Sequence, residues 1–185
     1  ENILPPELFP VVEAVIFNNP DVGVRVQASN YFKKPGSGKT FSIAAIAKMK
    51  GNTRSGDTLF SKNCSSCHRV KDKGMNIGPD LSSIKNKFQR EALLDAIVNP
   101  NAGIVFGYEA WLITTKSGDS FFGFLVADGT QAVVIKDLSG AKHTLPTTTI
   151  ASRQKQSNSL MPEPSSLALT DQNLADIAEY LMLMK

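Results

Sequence analysis

Apolar residues follow two different periods along this chain. From Glu7 to Asn18 they recur at Leu8, Val11, Val12, Val15 and Ile16, the three-and-four spacing of an amphipathic helix. Asn19-Pro20-Asp21 ends that helix, and Asp21 is placed to cap a second one over Val22 to Phe32. Val24 to Val26 alone would suit a strand, but the continuation through Ala28, Tyr31 and Phe32 favours the helix. Two short helices around a tight turn have the form of one helical-repeat unit. Such a unit cannot bury its own apolar face, so it is expected to close an array lying outside this chain or to cap the domain C-terminal to it. Lys34-Pro35-Gly36-Ser37-Gly38-Lys39-Thr40 reads as a linker. A phosphate-binding loop needs glycine five positions before Gly38, where Lys33 stands. Helical spacing returns in a short segment from Ser42 to Met49. It recurs in a helix entered at Ser55 and carrying Gly56, Leu59 and Phe60, in residues 90–98 closed by Asn99-Pro100, and in residues 170–184. The last has Thr170 as N-cap and an apolar stripe of Leu174, Ile177, Ala178 and Leu181.

Between Tyr108 and Lys155 the period shortens to two. Tyr108–Thr115, Phe121–Val126, Ala132–Lys136, Lys142–Leu145 and Ile150–Lys155 read as short strands. Turn signals separate them at Lys116–Asp119, Asp128-Gly129 and Asp137–Gly140. Apolar residues on both faces predict a small antiparallel barrel of the SH3-like kind. The expected architecture is mainly α: a helical segment and linker over 1–50, a helical domain over 51–107 plus 156–185, and a β-barrel insert over 108–155.

The chemistry is concentrated in Cys64-Ser65-Ser66-Cys67-His68. C-x-x-C-H is the attachment signature of c-type haem: two thiols add to the two vinyl groups of one porphyrin, which brings the adjacent imidazole under the iron. A structural zinc site needs about four ligands, and the chain offers no third cysteine and one further histidine, His143. A redox dithiol is expected beside a βαβ pattern, and none surrounds this pair. One covalent haem c is therefore expected, with Cys64 and Cys67 holding the porphyrin and His68 as a metal ligand.

With 185 residues there is ample apolar content for a core, and the net charge of +3 is mild. Lys and Arg are scattered without interleaved aromatics, which argues against nucleic-acid binding. No apolar run approaches the ~20 residues of a membrane span. No targeting segment is visible, so the chain is expected to be processed or cut from a longer protein. Haem attachment of this kind takes place outside the cytoplasm, so a periplasmic or otherwise exported location is expected. A six-coordinate haem needs a second axial ligand, and the candidates are Met49, Met75, Met161, Met182, Met184 and His143. Met75 lies close to His68 in sequence, Met182 and Met184 end a packing helix, and Met49 precedes the haem helix. Met161 stands instead on an irregular stretch, Ser159-Leu160-Met161-Pro162, before the last helix.

Gly56, Phe60, the haem motif, Gly78-Pro79-Asp80-Leu81 and Met161-Pro162 resemble class I cytochromes c. That resemblance implies a helical fold around one haem, with the terminal helices crossing at Gly56 and Phe60 and Tyr180 joining the contact. It also implies that the Pro79 carbonyl accepts from the proximal imidazole and that Met161 is the distal ligand. The run from residue 56 to the end further resembles the c-type haem-binding domain family named for Pirellula and Verrucomicrobium. The residues that carry this are Gly56, Phe60, Cys64–Arg69, Gly78–Leu81, Arg90–Leu94, Asn99–Ala102, Gly107–Glu109 and Ser159–Glu163. Asp21–Arg25 resembles the HEAT-like segment that often precedes that domain. The resemblance implies an electron carrier rather than an enzyme, taking electrons from a dehydrogenase-type partner or fused module. Two other functions stay open on the residues alone: a haem enzyme or gas or redox sensor with a labile distal Met161, and a protein-interaction module with a structural haem. Tyr108 or Trp111 would either bind a haem propionate or, more simply, fill the barrel core.

Overall fold

The computed structural model describes residues 6–17, 19 and 40–183. A 3₁₀ turn, Pro6–Leu8, leads into α1, Phe9–Phe17, whose Val11 and Val15 are exposed. The expected cap at Asp21, the helix over 22–32 and linker residues 34–39 lie outside the described residues.

Four helices build the core that positions the site: α2 (Ile43–Lys48), α3 (Thr53–Asn63), α4 (Arg90–Val98) and α5 (Asp171–Leu183). The α5 stripe read from the sequence is the buried one, with Leu174, Ile177, Ala178 and Leu181 packed among Ile46, Phe60 and Leu94. Thr170 caps α5 reciprocally: its hydroxyl accepts from Asn173 N–H (3.2 Å) and its own N–H donates to Asn173 Oδ1 (3.0 Å). The haem-side helix starts earlier than Ser55. Asn52 is its N-cap, accepting from Ser55 N–H at 2.9 Å, because an Asn side chain one turn upstream satisfies that donor.

α3 crosses α5 at the Gly56 contact. A Cβ on Gly56 would overlap the Asp176 carbonyl oxygen and crowd Tyr180 Cβ (2.7 Å), so only a hydrogen fits there. Beside it the Phe60 and Tyr180 rings pack with centroids 5.5 Å apart. Arg90 staples α4 to this pair. Its guanidinium donates to Glu179 (2.5 Å) and to the carbonyls of Met49 (3.1 Å) and Ala175 (3.2 Å).

The chain is not mainly α. The structure is about 34 % helix and 22 % strand, and among the described residues the strands form one antiparallel sheet of five: β1 (Ala110–Thr115), β2 (Ser120–Asp128), β3 (Ala132–Asp137), β4 (Lys142–Pro146) and β5 (Ile150–Lys155). Their order is β4-β3-β2-β1-β5, so β4 and β5 are edges and the sheet is open rather than a closed barrel. The helical signals outweighed the strands in the sequence because strands are short and each carries a weak period. One face buries Ile113, Val133, Ile135 and Leu145 in a core of the sheet's own. The opposite face carries Ala110 and Phe124, paired across β1 and β2, and shares a buried cluster with Ile77 and Leu160 from two loops of the helical part.

Gly56→Ala is expected to lower unfolding stability by about 1–3 kcal/mol, the usual cost of overpacking. Gly103→Ala, where an added Cβ meets nothing within 4 Å, should shift it by less than about 0.5 kcal/mol. Chemical denaturation of the holoprotein reads both.

Candidate functional site

The helical turn continues past α3. Cys67 N–H and His68 N–H both donate to the Cys64 carbonyl, at 3.1 and 2.9 Å, so residues 64, 67 and 68 fall on one side of the chain. That side faces an apolar cleft lined by all three. Burial, with Cys67 alongside, pushes the Cys64 thiol up to about 12, and burial raises Cys67 as well. Reactive dithiols depend on a lowered pKa, so this environment disfavours thiolate exchange chemistry. Among the described residues no group of three or more His, Cys, Asp or Glu could hold a metal ion, which leaves a zinc site without further ligands.

His68 is fixed from the other side. Its Nδ1 lies 2.8 Å from the Pro79 carbonyl. A carbonyl oxygen can only accept, so the proton sits on Nδ1, and the Nε2 lone pair is left for a metal. Burial pulls the imidazole pKa below its ordinary value while the Pro79 contact pulls it up, and burial is the larger effect. Gly78 lies flat against the ring: a Cβ there would stand 3.1 Å from Cε1 and 3.3 Å from Nδ1. The loop is tied back by Ile77 N–H and Gly78 N–H, both donating to the Cys67 carbonyl at 3.0 and 2.7 Å. Arg69 donates to Asp80 Oδ2 through Nε (2.9 Å) and Nη2 (2.7 Å), and Asp80 Oδ1 accepts from Ser82 N–H (2.8 Å). Hydrogen bonds from Ser82, then Arg69, hold the Asp80 carboxyl down to about 2.

Met161 lines the same cleft as His68. Its N–H donates to Ser159 Oγ (3.1 Å), and Ser159 N–H donates to Asn101 Oδ1 (2.7 Å), so the stretch before Pro162 is pinned to the loop after α4. The other ligand candidates are placed elsewhere. Met75 is half exposed, Met49 and Met182 pack against the helical core, and His143 pairs with Asp137 at 2.7 Å on the β3–β4 hairpin. Met184 lies outside the described residues.

Three contributions went unread in the sequence. Asn101 was one letter of a longer match, with nothing to mark it as the anchor of Ser159. Phe124 of β2 and Leu138 in the β3–β4 turn close one wall of the cleft. Their signal was the run Phe121-Phe122-Gly123-Phe124-Leu125, apolar on both strand faces, which demands cover on both sides. Tyr108 also lines the cleft, whereas Trp111 sits on the other face with Arg153 5.8 Å from its ring. The residues therefore fit a covalent porphyrin: two adjacent thiols and an oriented imidazole at the base of an apolar cleft, with a thioether on its wall.

Residues 53–115 match the family model described as Cytochrome c. The match supports a c-type cytochrome, with covalently bound haem c, haem-based electron transfer and the need for a redox partner that go with that family. No curated protein matches the chain. Among the described residues no helix is long and apolar enough to cross a membrane.

Asp80 gives the site an acid limit. Its pKa is lower folded than unfolded, so the stability it contributes is complete above the unfolded value near pH ~4 and is lost as pH falls toward about 2. The thermal midpoint of the wild type should fall over that window more steeply than that of Asp80→Asn, measured at matched ionic strength.

Proposed function

We propose that this chain carries one covalently bound haem c and passes single electrons through it, as the cytochrome domain of an exported oxidoreductase system of the Pirellula/Verrucomicrobium type. The bound haem supplies one-electron chemistry, its iron alternating between ferric and ferrous. Cys64 and Cys67 tether the porphyrin through thioethers. His68 Nε2 and the Met161 sulfur hold the metal in both oxidation states, so little has to move when an electron arrives. The Pro79 carbonyl keeps the imidazole proton on Nδ1 and raises the basicity of Nε2. Apolar walls from α4, α5 and the sheet exclude water, and together with a thioether ligand they favour a raised potential. The domain does no chemistry on substrate. Its electrons come from a dehydrogenase-type partner or fused module and leave to a downstream acceptor.

The observation that carries this reading is the cleft shared by His68 and Met161, from which the other described ligand candidates are absent. Ferric holoprotein should show the weak far-red charge-transfer band of sulfur on iron, and its ferrous form should refuse carbon monoxide. Met161→Ala should abolish the band and admit carbon monoxide. A wild type that lacks the band and takes up the gas would instead be a haem enzyme or sensor.

A further inference from the structure

The contact between the sheet and the haem-side loop falls on two peptide planes. The plane between Asn76 and Ile77 carries the Asn76 carbonyl and the Ile77 N–H; the next carries the Ile77 carbonyl and the Gly78 N–H. Both N–H groups go to the Cys67 carbonyl, at 3.0 and 2.7 Å. Both carbonyls accept from a single group, the Lys136 ammonium of β3, at 3.1 Å (Asn76) and 2.9 Å (Ile77). Peptide units are rigid planes, so each is gripped at both ends. The next residue, Gly78, packs on the His68 ring, and the one after supplies the carbonyl that orients it.

We propose that Lys136 is a positioning residue for the His68 imidazole, acting from the sheet through the Asn76 and Ile77 carbonyls to fix the Gly78-Pro79 step. The proposal rests on His68 being the proximal ligand. Lys136 is well placed to hold still. Its Nζ lies 5.8 Å from the centroid of the Phe124 ring, which is itself part of the cleft wall. Burial, with the like charge of Lys142 opposite it on β4, lowers its pKa, so the ammonium gains from the two carbonyls that replace its water.

Position and charge have opposite signs here, which makes the role measurable. Loosening the Pro79 contact makes the imidazole a poorer donor and raises the reduction potential. Removing a nearby cation alone lowers it. In Lys136→Met holoprotein the reduction equilibrium should shift about threefold toward ferrous, about +28 mV at 59 mV per tenfold for one electron. The His68 Nδ1 proton should exchange with solvent about fivefold faster by NMR, while amides in α5 keep the wild-type rate. Lys136→Arg should restore both readouts, and Lys142→Gln, a charge removed without a contact to the loop, should not speed the proton exchange. If Lys136→Met fails to yield holoprotein, Lys136→Gln carries the same expectation. A potential that stays or falls, or an unchanged Nδ1 exchange rate, overturns the proposal. Loss of His68 ligation in the wild type would overturn the reading of the site instead.

Discussion

A single hydrogen bond, from His68 Nδ1 to the Pro79 carbonyl, sets what this cleft can do. An imidazole buried in apolar surroundings tends to lose its charge and has no water to orient it. One acceptor with no competing donor fixes both the tautomer and the ring plane. Much of the surrounding structure serves that contact. Cys67 ties the loop from beneath, Gly78 gives the ring room, the Arg69–Asp80–Ser82 chain braces the far end, and the sheet presses from outside.

The helical part was largely legible in the sequence. The stripe on α5 and the Thr170 cap follow strong local rules, and the crossing at Gly56 and Phe60 followed from the resemblance to class I cytochromes c. The five strands were readable too, within a residue or two. What misled was their weight and closure. The sheet makes the chain a mixture of helix and strand, and no hydrogen-bonded ladder joins β4 to β5. Which strands pair is partly local, but whether a sheet closes depends on contacts between its ends, and no short pattern encodes those.

The site divides along the same line. Cys64, Cys67 and His68 are adjacent in sequence, so their common face follows from helical geometry alone. Pro79 and Met161 needed a family resemblance, since nothing local says that a proline carbonyl will accept from a ring many residues away or that a particular thioether will line the same cleft. Asn101, Phe124 and Lys136 were illegible because each acts across the join between helices and sheet. The doubled phenylalanines of β2 were the visible clue that such a join existed.

The crossing of α3 and α5 also bears on the order in which the molecule assembles. These helices come from opposite sides of the sheet, so their encounter closes a long loop. The entropy of that closure rises only with the logarithm of its length, but it falls due before the contact is rewarded. Strands β1 to β4, joined by tight turns, are mostly neighbours in sequence and need no such closure. Pairing of Trp111 with Lys155 brings the two ends of the sheet segment side by side, so if the sheet forms first, the loop left for α3 and α5 to close is shorter by the length of that segment.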